Sequence, residues 1–264
     1  MILEAALLFQ IVSRPPLVVA PAVYRTRVMA EVFRLWDPAS GDPMRLAAWS
    51  VAVDGFWRRN DSLPMEVSHR FSPRGGSRDE TTRREVASAN RRHVAGADLA
   101  PYNGEHVEWS LRVKVDRPSH GTEAKGSLEA LTQEPLALSD IVVGDTAQQL
   151  VVTIGQQEVV LAPRQAIGRD SPLVIYFQVR SPVASDSARF TYRLRRITGG
   201  VPVEDEELRI GVVGSIGEGI TAVEQVLGVS QLTGDHYELE VQVEADATRI
   251  ARGTTSLHLI QGER

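Results

Sequence analysis

Cysteine is absent from all 264 residues. No disulfide can staple this fold, no thiolate can act as a nucleophile, and no cysteine-based zinc site can form. Aromatic residues are sparse at 6 %. A sugar-binding platform needs a planar row of exposed aromatics, and only Trp57, with Phe56, stands out in a predicted loop. No stretch reaches the roughly 20 apolar residues that a membrane helix requires, so no membrane span is expected. The apolar opening MILEAALLFQIVSRPPLVVAPA has no basic n-region, is interrupted by Glu4 and is broken by Pro15-Pro16, features that argue against a signal peptide.

Sequence patterns of several chemistries are missing too. GVVGSIGEGI, residues 211–220, is dense in glycine, but its order is Gly-x-x-Gly-x-x-Gly-x-Gly. A dinucleotide loop needs Gly-x-Gly-x-x-Gly ahead of a helix, and a phosphate loop needs Gly-Lys-Ser/Thr. The residues that follow, ITAVEQVLGVSQL, are β-branched and broken by Gly228, so strand and bend are predicted and no cofactor is expected. No Gly-x-Ser-x-Gly elbow occurs, and the adjacency of Ser119 and His120 is no evidence for a triad, whose members meet through space. The six histidines, His69, His93, His106, His120, His236 and His258, show no local metal spacing. The run Glu204-Asp205-Glu206-Glu207 lacks the alternation and glycine of a calcium loop. Sequence reasoning therefore assigns no catalytic residue and no metal ligand.

Net charge is −5. Residues 1–135 hold 18 Lys/Arg and 17 Asp/Glu, whereas residues 136–264 hold 11 and 17. Neither half has the basic balance of a nucleic-acid binder. A local excess lies between Trp57 and His93, where nine arginines meet five acids. Solvated strand faces and loops account for such a cluster, and an anion patch is the sharper alternative. Trp57, Arg58 and Arg59 are accordingly the candidate ligand-binding residues.

What fills the chain is period-two alternation. HYELEVQVEAD sets Tyr237, Leu239, Val241 and Val243 on one face and Glu238, Glu240, Gln242 and Glu244 on the other. VEWSLRVKVD does the same with Trp109, Leu111, Val113 and Val115, and RFTYRLRRI with Phe190, Tyr192 and Leu194. These are half-buried antiparallel strands. PLVIYFQVR is continuously apolar and predicts a strand buried on both faces. YRTRVMAEVFRLW fits a helical stripe as well as a strand, and the β-rich context decides for strand. HVEWSLRVKVD from His106 and HYELEVQVEAD from His236 share His, Glu, Val and Asp at an offset of 130, and Ser127-Leu128 matches Ser256-Leu257. The prediction is an all-β chain of two tandem antiparallel immunoglobulin-like β-sandwich domains, residues 1–135 and 136–264.

EPLALSDIVV (134–143), SPLVIYFQV (171–179) and LTGDHYELEVQVEAD (232–246) resemble the C-terminal β-sandwich region of bacterial GWxTD-domain proteins. The Gly-Trp-x-Thr-Asp motif itself is absent, DGFWRRND being the nearest string, so no role tied to that motif carries over. The resemblance implies a bacterial cell-envelope setting and supplies no catalytic residues. The expected function is a non-catalytic interaction or scaffold module whose partner is another protein. A carbohydrate-binding module and a hydrolase with a site at the domain interface are the alternatives.

Overall fold

The structure, a computed structural model, describes residues 24–260 except 56, 58, 60, 74–77, 103–105, 116–121, 133, 147–149 and 163–165. Among the described residues there is no helix. The first seven strands are β1 (Arg25–Trp36), β2 (Pro43–Asp54), β3 (Ser62–Pro73), β4 (Asp79–Ser88), β5 (His93–Pro101), β6 (Val107–Val115) and β7 (Thr122–Leu128). They form two sheets, ordered β1-β2-β5 and β4-β3-β6-β7, with every pairing antiparallel. The ambiguous YRTRVMAEVFRLW segment is strand: β1 pairs with β2 along its whole length.

The remaining strands are β8 (Ala137–Leu138), β9 (Val142–Asp145), β10 (Val151–Ile154), β11 (Gln157–Val160), β12 (Ala166–Gly168), β13 (Leu173–Ser181), β14 (Ser185–Thr198), β15 (Val201–Ile216), β16 (Gly219–Leu227), β17 (His236–Glu244) and β18 (Ile250–Ile260). One sheet runs β16-β13-β8, with β9 also on β13, and another runs β12-β18-β17-β14-β15. The hairpin β10-β11 stands apart. Among the described residues, only β12 pairs in parallel, against β18. Set strand for strand, β9-β13-β16 has the order of β1-β2-β5, and β15-β14-β17-β18 has the order of β4-β3-β6-β7. The alternating segments from His106 and His236 occupy the same position in this scheme.

Alternation in sequence becomes burial in space because successive side chains leave a strand on opposite faces. Trp49, Val51 and Val53 of β2 meet Leu63, Met65 and Val67 of β3 and Leu111, Val113 and Val115 of β6 in one core. Ile175, Phe177 and Val179 of β13 meet Phe190, Tyr192 and Leu194 of β14 and Tyr237, Leu239 and Val241 of β17 in another. Trp109, expected in the core, is only half-buried. Its ring lies across the neighbouring strand at Gly126, where a Cβ would come within 2.6 Å of the indole. Trp49 uses Gly96 on β5 in the same way, with a Cβ there 2.5 Å from the ring.

A third core joins the two sets of sheets. Leu35 of β1 and Leu46 and Ala48 of β2 pack on Ile154, Val159, Leu161 and Tyr176. Strands β2 and β13 are thereby buried on both faces, as the continuous apolar run at 172–180 predicted for β13. Polar groups complete this junction. The Gln178 side chain, fully buried, acts as a substitute peptide group: Trp36 N–H donates to Oε1 at 2.6 Å and Nε2 donates to Trp36 O at 2.8 Å. Arg34 donates to both oxygens of Asp140, at 2.6 Å from its Nη2, and to the carbonyls of Glu129 and Ala130. Ser139 Oγ accepts the Gln178 backbone N–H at 2.8 Å. The Leu138-Ser139-Asp140 segment is thus where the connecting chain is pinned to both sides.

Gln178→Ala should destabilise the protein by about 1–3 kcal/mol, because it strands a buried N–H and a buried C=O of Trp36. Trp49→Ala should cost about 3–5 kcal/mol as a large-to-small change in a filled core. Denaturant midpoints measure both, and wild-type values in either variant would contradict the packing described.

Candidate functional site

The segment GVVGSIGEGI closes β15, bends and opens β16. Gly219 has φ of +86°, and Gly217 N–H donates to Thr221 Oγ1 at 2.9 Å. No helix follows, so the backbone N–H fan of a phosphate loop is not built here.

Of the candidate ligand residues, Trp57 and Arg59 are among the described residues. Trp57 is half-buried and packs on Tyr24, ring centroids 4.7 Å apart, against the first core. Arg59 lies in an exposed turn and Arg58 is outside the described residues, as are Phe56, Asp116 and His120. Three nearby arginines are paired with acids. Arg45 bonds Asp79 and stacks 3.8 Å above the Phe71 ring centre, Arg70 bonds Glu80, and Arg83 bonds Asp98. Of the acidic run at 204–207, the Glu207 carboxylate accepts the Tyr237 hydroxyl at 2.6 Å.

Sequence reasoning missed a polar cluster between the first two sheets. His69 occupies a core-facing position of β3, 4 % exposed, with its Nδ1 3.6 Å from Asp98 Oδ2 and its ring edge-on to Trp49. Its alternation with Leu63, Met65 and Val67 was legible and could have signalled burial. The Asp98 partner, on β5, could not be read locally. Burial pushes the His69 pKa down, Asp98 opposes that, and Arg83 and Arg45 reinforce it. His69 Nε2 makes no hydrogen bond. An acid–imidazole pair with no hydroxyl bonded to the imidazole lacks the nucleophile of an acyl-transfer site. Among the described residues, no group of three or more His, Asp or Glu side chains gathers as a metal cage.

The clearest surface feature is the edge of β15, which among the described residues pairs only with β14. Gly199 and Gly200, with φ of +62° and +83°, form the tight turn of this long hairpin. Val212 and Val213 are 37 % and 67 % exposed, on opposite faces, between Gly211 and Gly214. From Ile210 to Ile216 the edge carries no charge. Natural edges are usually blunted by charge, proline or a covering element. The corresponding strand β4, DETTRREVAS, carries five charged residues, and the opposite edge of the β15 sheet is covered by β12. An unblunted edge offers unpaired N–H and C=O groups to an extended segment.

The fold and this surface define an all-β protein of mainly antiparallel sheets packed in β-sandwich fashion, with the β15 edge open. No protein-family model matches the chain, and no curated protein matches it. Among solved structures, it is similar to the crystal structure of red sea bream transglutaminase at 12 % identity, with a TM-score of 0.30, over 89 % of this chain and 32 % of that one. The chain therefore spans about a third of that protein's length.

The unperturbed histidine pKa lies near 6.5, and burial holds both His69 and His258 below it in the folded state. The unfolded chain then binds protons at a higher pH than the folded one. This contribution to stability is complete above about pH 6.5 and is lost as the pH falls toward the depressed values. Denaturant midpoints should drop between about pH 7.5 and about pH 5, and His69→Gln should flatten that drop. An equal drop in the variant would remove His69 from the account.

Proposed function

We propose that the chain is a non-catalytic interaction module of two immunoglobulin-like β-sandwich units, divided near residue 135, that binds another protein by strand addition at the β15 edge. The observation that carries this reading is the uncharged, unpaired edge from Ile210 to Ile216 beside a blunted counterpart in the other half. Main-chain hydrogen bonds give affinity in such docking, and Val212 and Val213 offer alternate side-chain contacts on either face. The acidic stretch 204–207 lies in the same strand, so the fitting partner is an extended segment with basic residues at one end.

Support for the immunoglobulin-like assignment comes from connectivity and from one side chain. In each half the second strand of the scheme pairs with the fifth and the third with the sixth. Tyr237, at the start of β17, accepts the Gly234 N–H at 2.7 Å through its hydroxyl, the arrangement of a tyrosine corner. The matching strand order and the offset sequence repeat together support an origin by duplication. The reading also keeps the relation to the GWxTD-domain β-sandwich region, whose Leu-Ser-Asp segment here pins the junction.

Selection from a library of random displayed peptides is the test. Enriched peptides should be extended and basic, should protect amides of Arg209–Ile216 from hydrogen exchange, and should lose at least tenfold in affinity to Val213→Lys, a substitution that leaves the core face of the sheet intact. Peptides that bind the variant equally well, or saturable glycan binding with no peptide binding, would overturn the proposal.

A further inference from the structure

The sheet register brings together two histidines far apart in sequence. His236, at the start of β17, stands opposite His258 on β18. Leu259 N–H donates to Asp235 O at 2.7 Å, one of the bonds that flank this pair, so His236 and His258 occupy a non-hydrogen-bonded position. Side chains approach most closely at such positions. The two rings stack with centroids 4.3 Å apart and 10° between their planes. Among the described residues neither ring makes a hydrogen bond or ion pair, which leaves both with free ring nitrogens. His236 is exposed and His258 half-buried, so a hydrated ion can reach them from solvent.

The other half of the chain supplies a contrast at the same hairpin position. There His106 Nδ1 lies 2.9 Å from Glu129 Oε1, an imidazole already engaged by a carboxylate. In the second half a second imidazole stands where that carboxylate would be. The two imidazoles face one another across the ladder with no carboxylate between them, and a neutral imidazole offers a nitrogen lone pair to a metal. Asp235 is bonded to Arg169, and Glu238, the next outward residue of β17, is bonded to Arg195.

We infer that His236 and His258 form a bidentate site for a borderline divalent transition-metal ion of the Zn²⁺, Ni²⁺ or Cu²⁺ class, whose other coordination positions are filled by water or by a ligand from a second molecule. Neutral imidazole suits these ions, whereas Ca²⁺ and Mg²⁺ demand oxygen ligands. The engagement of Asp235 and Glu238 by arginines limits the protein's contribution to two nitrogens. The acidic balance of residues 136–264 favours approach of a cation.

The test uses the full chain and Ni²⁺ at neutral pH. Calorimetric titration should show saturable one-to-one binding, weakened at least tenfold by His258→Asn and by His236→Asn and unchanged by His106→Asn. Excess Ca²⁺ should not compete. Cu²⁺ broadening of amide resonances in the unaltered protein should centre on the ends of β17 and β18, a readout that does not depend on any variant folding. Absence of binding up to millimolar Ni²⁺, affinity that survives both substitutions, or broadening centred elsewhere would overturn the inference.

Discussion

Strands β2 and β13 have no solvent-facing side, and the rest of the architecture is arranged around that constraint. Each has one face in the core of its own pair of sheets and the other in the shared core of Leu35, Leu46, Ala48, Val159, Leu161 and Tyr176. A strand buried twice must satisfy its neighbours at every residue, since close-packed interiors tolerate neither voids nor extra volume. The polar contacts at the junction follow from the same burial. Chain leaving β1 cannot continue its ladder beyond Trp36, and an unpaired peptide group there would carry a desolvation cost. Gln178 meets that need with an amide side chain, and Arg34 with Asp140 fixes the direction of the connecting segment.

Edge chemistry then separates the two halves. Both have the same strand order, but residues that face the same problem differ. In β4 the edge is dense in Arg, Asp and Glu, and those charges meet Arg45, Arg70 and Asp98 on neighbouring strands. In β15 the charges stop at Arg209, and glycine and valine follow. Outward-facing Arg193 and Arg195 on β14 are matched by Glu238 and Glu240 on β17, so the sheet face is neutralised while its edge stays bare. These ion pairs are half-buried. Their arrangement keeps the face soluble and leaves the edge as the place where backbone can still pair.

Buried polarity is handled differently at each place. Tyr237 is tied at both ends of its hydroxyl, to Gly234 and to Glu207, and burial with that carboxylate raises its pKa. Tyr192, with burial alone acting on it, is pushed up to about 12. At the β17–β18 turn, Asp246 caps the chain by accepting from Thr248 and Arg249, which holds its carboxyl well below the usual range even though it is exposed. His69 leaves its Nε2 without a bond inside an otherwise apolar row, and Trp49, edge-on to it, leaves its Nε1 without one as well.

Local pattern by itself determined the element types, and for a physical reason: side chains alternate along a strand, so one buried face writes a period of two into the sequence. The alternation at 107–115 and 236–244, the doubly buried run at 173–179 and the bend at Gly219 were all legible on that basis. The offset between His106 and His236 likewise marked two strands that hold matching places. What the sequence left open depends on which strand lies beside which. Register and sheet packing are set by contacts between residues far apart in the chain, and no local spacing encodes them. Only the tertiary structure decided that Trp57 would turn inward onto Tyr24, that His69 would meet Asp98, that Gln178 would pair with the backbone of Trp36, and that His236 would stack on His258.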